Sequence, residues 1–315
     1  MTATATPSFW AGYWQSLKSL DVEEPIDVYV HRPLAYLLAR ALLPTPVSPN
    51  LVTIASMLIG VSGAYLMVAD VPYHWQWAAL CTFTGTVFDC ADGQLARMRK
   101  TSSVIGRMLD GTADVIVTAA ILIAGGYHLY FKYGAANAWL GWAAVAFTLV
   151  AGVATSIQTT LFDHYKTVFM KLAVPGFKEA ESYPEARRRY EAQESFTLVS
   201  RLAWALYLQF VGNQSSTVRK FDPHTVTEFS ILGDYDPARA QIYREHMASV
   251  MATWRRWFGY GSLMIGITLA LALELPEYYL LARLTLYGVV FYGPLRLRQR
   301  RASQRAFAAL GVEPR

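Results

Sequence analysis

The sequence predicts an all-α integral membrane protein: six transmembrane helices, an N-terminal amphipathic interfacial helix and a cytoplasmic helical insertion. Three observations support this class. The 315 residues are 54% hydrophobic and only 16% charged, where a soluble domain carries about 25% charged residues. Mean hydropathy is +0.24, yet the formal charge is +5 and the pI about 9.1, so apolar spans must alternate with basic flanks. Several runs also reach the ~20 apolar residues that a spanning helix needs.

Those runs order the elements. "HRPLAYLLARALL" sets Arg32 and Arg40 among apolar residues at helical spacing, the pattern of a helix lying in the membrane interface. Spans are expected at 51–69, 74–91, 112–131, 138–162 and 257–274, with a sixth at 277–294 that carries Arg283. Pro49 and Asn50 mark the start of the first. The connection 163–256 is polar at "EAESYPEARRRYEAQES", apolar at "FTLVSRLAWALYLQFVG" and then polar again. A span at 196–212 would be short, would hold Arg201 and would move the basic tail across the membrane. That stretch is therefore expected to be interfacial or packed on the membrane helices. Turn signals at "FDPH" and "GDYDP" delimit a small cytoplasmic insertion over 213–247. The expected organisation is a cytoplasmic region at 1–48, four spans with a polar hairpin at 49–162, an insertion at 163–256, two spans at 257–298 and a basic tail at 299–315.

Charge placement orients this plan. Six spans put three short loops on one side, 70–73, 132–137 and 275–276, and Lys132 is their one basic residue. The opposite side receives the hairpin 92–111, the long connection and the tail "RLRQRRASQR". Lysine and arginine stay on the cytoplasmic side, so the hairpin and both termini are expected in the cytoplasm. The N-terminus lacks the basic and apolar regions of a cleavable signal peptide. No internal repeat of roughly 20–50 residues is visible. Cys81 and Cys90 share one apolar run, which indicates no disulfide framework.

The chemistry lies in "FDCADGQLARMRKTSSVIGRMLDGTAD", residues 88–114. Residues three or four apart share a helix face. Asp89, Asp92, Gly93, Ala96 and Arg97 thus line one helix, and Gly106, Asp110 and Asp114 line the next. Folding at "MRKTSSVI" brings the faces together. Four carboxylates in one pocket repel one another, and divalent cations resolve that conflict. Hard oxygen ligands suit Mg²⁺ or Mn²⁺ shared with substrate phosphates. Gly93, Ala96 and Gly106 leave room for a bulky ligand, and Arg97 can grip a phosphate bidentately. Asp114 opens an apolar run, where an acid is functional by default. A solvated loop would explain any one of these residues but not the ordered set. The pattern therefore predicts a metal-assisted site for a pyrophosphate-containing ligand. A cation transporter would place its acids near the bilayer midplane within an inverted repeat. An intramembrane prenyltransferase would need a second, distant aspartate-rich motif. Neither feature is evident, and no nucleic-acid partner is expected.

Read as D-x2-D-G-x2-A-R-x8-G-x3-D-x3-D from Asp89 to Asp114, the stretch resembles the signature of the CDP-alcohol phosphotransferases (CDP-alcohol phosphatidyltransferases) at every fixed position. The resemblance extends over about 49–131. It implies a divalent-metal-dependent enzyme of phospholipid biosynthesis that moves a substituted phosphate from a CDP-linked donor to an acceptor hydroxyl, releasing CMP. Asp89, Asp92, Asp110 and Asp114 would hold two Mg²⁺ or Mn²⁺ ions, and Asp114 would also be the general base. Asp92, Gly93, Ala96, Arg97, Gly106 and Asp110 would bind the nucleotide and its diphosphate. The resemblance further implies a homodimer, and the protein is expected in a bacterial inner membrane.

A pocket beside the lipid favours CDP-diacylglycerol as donor, with inositol, inositol phosphate, glycerol 3-phosphate or serine as acceptor. CDP-choline or CDP-ethanolamine with a lipid alcohol is the alternative. A cation-binding membrane transporter is the alternative of another class. His164, Lys166, Arg255 and Arg296 are acceptor-side candidates, with Lys171, Arg256 and Arg298 nearby in sequence. The cations serve equally as anchors on the basic side of the membrane.

Overall fold

Caps and close helix approaches, rather than apolar runs alone, set the element boundaries. The computed structural model describes residues 8–101, 104–177, 181–193 and 197–313, and among these every element is helical, with no strand. Helix α1 (Phe9–Ser16) and a π-helical turn (Asp27–His31) lead into α2 (Arg32–Leu42). The long helices α3 (Pro49–Leu66), α4 (His74–Arg99), α5 (Val104–Gly134) and α6 (Ala138–Ala173) follow. Then come α7 (Tyr183–Glu191), α8 (Leu198–Phe221), a 3₁₀ turn (Phe229–Leu232) and α9 (Pro237–Trp257). The chain closes with α10 (Tyr260–Ala272), α11 (Pro276–Ala282), a π-helical stretch (Arg283–Phe291) and α12 (Tyr292–Ala309).

Three stretches of the described helices are long and apolar enough to cross a membrane: Pro49–Leu66, Met108–Gly134 and Ala138–Ala173. The other three expected spans are helical but differ in kind. Helix α4 has 26 residues, yet its polar and charged side chains, Gln76, Asp89, Asp92, Gln94, Arg97 and Arg99 among them, dilute its hydropathy. The run 257–274 holds α10, which has only 13 residues, about 20 Å of helix. The run 277–294 passes from α11 through the π-helical stretch into α12.

The chain forms two compact units. One comprises residues up to Gly152 together with Tyr260–Ala282; the other comprises Val153–Gly259 with residues from Arg283 onward.

In the first unit, Ser48 caps α3 by accepting from the Leu51 amide at 3.3 Å, and Pro49 occupies the position where no amide is needed. Helix α4 packs on α3 almost backbone to backbone. A Cβ at Gly85 would lie 3.2 Å from the Ser56 carbonyl oxygen, and one at Gly63 would lie 3.1 Å from the Ala78 carbonyl oxygen. Small residues allow this approach between apolar helices. Arg99, at the end of α4, donates to the carbonyls of Leu42 and Thr45 at 2.7 Å each, and to that of Val47. It thereby pins the α2–α3 connection.

The segment between α1 and α2 buries three acids, Glu23, Glu24 and Asp27. Each has a partner, as burial of a charge requires. Glu23 pairs with Arg32 at 3.0 Å. Asp27 meets His31 Nδ1 at 2.8 Å. Glu24 accepts from the Gly261 amide at 3.2 Å, the Ser262 amide at 2.9 Å and the Ser262 hydroxyl at 3.0 Å. It caps α10 from more than two hundred residues away in the chain.

In the second unit, α8 continues to Phe221, beyond the expected 196–212 stretch; residues 194–196 lie outside those described. The "FDPH" and "GDYDP" signals flank the 3₁₀ turn between α8 and α9. A buried relay ties this region to α12. Trp254 Nε1 donates to Gln299, Gln299 to Ser303 and Ser303 to Asp222, at 2.9, 3.0 and 2.6 Å. Arg283, the charge within the expected sixth span, is 2% exposed. It donates to Gln158 at 3.0 Å and Thr155 at 3.3 Å, and stacks over the Tyr287 ring at 4.6 Å.

Candidate active site

The site belongs to the first unit and is built by α3, α4, α5 and α10. Helix α4 continues as far as Arg99, so Asp89 and Asp92 lie one turn apart on a continuous face. Asp110 and Asp114 repeat that spacing on α5. The hairpin residues Ser102 and Ser103 lie outside those described. One carboxylate oxygen from each of Asp89, Asp92 and Asp110 lies within 4.8 Å of the others. The carboxyl groups of Asp89 and Asp110 are also within hydrogen-bonding reach. Two ionised carboxylates cannot hold such a contact unless a proton or a cation lies between them.

Asp114 shares a cavity with Asp89, lined also by Ser56, Thr82, Thr86 and Tyr260. Asp92 is anchored from α3, where Thr53 Oγ1 donates to Asp92 Oδ2. Tyr260, the first residue of α10, donates its phenol to Asp114 and receives a hydrogen bond from Thr118.

Gly93 and Ala96 are half-buried beside Arg97. A Cβ at Gly93 would lie 3.3 Å from an Arg97 guanidinium nitrogen, so this glycine leaves the arginine room to swing. Arg97 Nε donates to the Ser16 carbonyl at 2.7 Å, and Gln94 donates to the Ser16 hydroxyl at 2.9 Å. The end of α1 thus rests on the nucleotide-side candidates. Gly106 lies one turn ahead of Asp110 on α5.

The acceptor-side candidates His164, Lys166, Arg255 and Arg296 all lie in the second unit. His164 is buried, stacked on Phe229 at 5.7 Å and bonded to the Val226 backbone. Lys166 lies over the Phe162 ring at 5.8 Å. Arg255 is half-buried on α9. Arg296 covers the Phe221 ring at 4.6 Å and donates to the Phe221 carbonyl at 3.5 Å.

Sequence reasoning passed over Thr53, Tyr260, Ser16 and Glu24. Thr53 had a weak signal, a hydroxyl in the first turns of an otherwise apolar run. Tyr260 and Glu24 had none, because their partners are remote in the chain.

The donor set suits a hard divalent cation. It consists of oxygen ligands alone, their atoms are mutually within a few ångströms, and one carboxylate is held in place by a hydroxyl from a neighbouring helix.

A helical protein of membrane type, with an aspartate cluster shared by two neighbouring helices, is the class that fold and site define. Residues 46–180 match the family model of the CDP-alcohol phosphatidyltransferases. It is 33% identical over 119 residues to the phosphatidylinositol phosphate synthase of Corynebacterium glutamicum, covering 38% of this chain and 51% of that protein. It is also 36% identical over 87 residues to the CDP-diacylglycerol–serine O-phosphatidyltransferase of Saccharomyces cerevisiae, covering 24% of this chain and 32% of that protein. The chain thus spans about half the length of the first relative and about a third of the second.

Proposed function

We propose that this protein transfers a phosphatidyl group from CDP-diacylglycerol to the hydroxyl of a small polar alcohol (inositol, inositol phosphate, glycerol 3-phosphate or serine) and releases CMP. The observation that carries this reading is the convergence of Asp89, Asp92 and Asp110 within the matched domain. Both relatives are named for making phosphatidyl lipids, one of them from CDP-diacylglycerol and serine, which favours this donor over CDP-choline or CDP-ethanolamine.

Asp89, Asp92, Asp110 and Asp114 would hold two Mg²⁺ or Mn²⁺ ions, which when bound would neutralise the diphosphate and stabilise the departing CMP. The remaining work falls to side chains of the chain itself. Arg97 binds the diphosphate, while Gly93, Ala96 and Gly106 make space for the cytidine nucleotide. Asp114 takes the proton from the acceptor hydroxyl. As it does so, the acceptor oxygen bonds to the phosphorus distal to the cytidine, and the bond from that phosphorus to the CMP oxygen breaks.

The six-span plan supports a cytoplasmic site, because the hairpin carrying the aspartates lies with the basic segments. The water-soluble nucleotide product would then leave on that side.

The test uses purified full-length protein in lipid–detergent micelles with Mn²⁺, each donor type and each acceptor, reading CMP. CMP formation only with CDP-diacylglycerol and one of these acceptors is expected. Asp114→Asn should lose about 10²–10⁴-fold in turnover, the usual weight of a general base, while still binding donor. Release of CMP by Asp114→Asn at the wild-type rate would refute the assignment of the base.

A further inference from the structure

Tyr260 begins α10, and its phenol reaches across to the Asp114 carboxyl. The phenol is oriented in turn by Thr118, one turn beyond Asp114 on α5. A hydrogen-bond donor fixed from both sides restricts which way a carboxylate can point.

Where Tyr260 stands depends on where α10 starts, and that start is held from a distance. Glu24, 4% exposed, accepts hydrogen bonds from the amides of Gly261 and Ser262 and from the Ser262 hydroxyl. These are first-turn amides with no partner inside the helix, and a carboxylate there also answers the positive end of the helix dipole. The fit is tight as well. A Cβ at Gly261 would lie 1.9 Å from Asp27 Oδ1, so only glycine lets the helix end sit against the N-terminal segment.

We propose that Tyr260 is a positioning residue for Asp114, and that Glu24 sets Tyr260 by capping α10 from the N-terminal segment. This rests on Asp114 being the base and a metal ligand. The N-terminal segment is thereby part of the reaction machinery although none of its acids touches a reacting atom. Asp114 carries the proton from the acceptor; Tyr260 keeps its carboxylate turned toward the Asp89 side of the cavity; Glu24 keeps Tyr260 in register.

The test compares Tyr260→Phe, Glu24→Ala, Glu24→Gln and the Tyr260→Phe/Glu24→Ala pair with wild type and Asp114→Asn, all full-length. Thermal unfolding confirms that each is folded. Tyr260→Phe keeps the ring and loses one hydroxyl, so it should fold normally. Its kcat should fall about 10- to 100-fold, with KM for CDP-diacylglycerol unchanged. Mn²⁺ affinity, read by electron paramagnetic resonance without substrates, should weaken about tenfold or more. Glu24→Ala should lower kcat in the wild-type background and add nothing in the Tyr260→Phe background. Glu24→Gln, which retains an acceptor oxygen for the cap, should recover most of that loss. Wild-type kcat and Mn²⁺ affinity in Tyr260→Phe, with Asp114→Asn inactive, would overturn the role of Tyr260. Multiplicative losses in the pair would overturn the link through Glu24. An active Asp114→Asn would instead refute the underlying reading of the base.

Discussion

Two sets of acids sit in the same unit and differ in what surrounds them. Glu23, Glu24 and Asp27 are each matched to a separate partner: Arg32, the start of α10 and His31. Asp89, Asp92 and Asp110 instead point oxygens at one another within 4.8 Å. Burial of a charge costs heavily unless it is compensated. The first set is compensated inside the protein, so it contributes architecture. The second crowds like charges together. The comparison teaches that the number of acids in a buried region says little about function. What separates the two sets is whether each acid meets a partner of its own or is drawn up against other acids.

The sharpest way to break this comparison is Asp110→Asn. On the proposed function, turnover should drop by at least about 10²-fold, since Asp110 would hold the ions that neutralise the diphosphate. Thermal stability of the metal-free protein should hold or rise, because a like charge has been removed. A large fall in melting temperature would move this set into the structural class.

The converse variant is Glu23→Gln, which leaves Arg32 buried beside a neutral partner. Breaking a buried ion pair costs on the order of 3–5 kcal/mol, so a strong drop in melting temperature is expected. The surviving folded fraction should bind Mn²⁺ as tightly as wild type. An unchanged melting temperature would show that Asp27 and Glu24 already satisfy the arginine.

The smallest expected effect concerns Asp222 in the second unit, an acid of the structural kind. Burial raises its carboxyl above the ordinary value, while the Ser303 hydroxyl and the His224 amide pull it down. Its folded form holds a proton more tightly than the unfolded chain does. The corresponding stabilisation is complete below the unfolded value of about 3.9 and is lost as pH rises through the raised folded value. Asp222→Asn should therefore flatten the decline of stability with rising pH in that window, by on the order of 1 kcal/mol. Parallel pH profiles of unfolding for variant and wild type would remove Asp222 as the cause.

Much of the site was legible in the sequence because its logic is local. The three- and four-residue spacing put Asp89 with Asp92 and Asp110 with Asp114, and the helix period does the rest. The start of α3 at Ser48-Pro49 and the turns at 222–225 and 233–236 were legible for the same reason, since caps and turns are made by neighbours. Apolar runs were a poorer guide. The run expected as a span at 257–274 holds α10, Tyr260–Ala272, whose 13 residues fall short of the ~20 that a straight span needs. The N-terminal acids read as ordinary polar sequence, because nothing near them in the chain announces burial.

The sequence by itself determined the helical class, the acid register on α4 and α5 and the chemistry that such oxygens can support. All of these follow from composition and from periodicities a few residues long. Tertiary structure alone decided which acids are set among separate partners and which are drawn up against one another. It alone set Thr53 on Asp92, Tyr260 on Asp114 and Glu24 on the first turn of α10. The physical reason is that counter-charges and caps act over a few ångströms in space, whatever their separation along the chain.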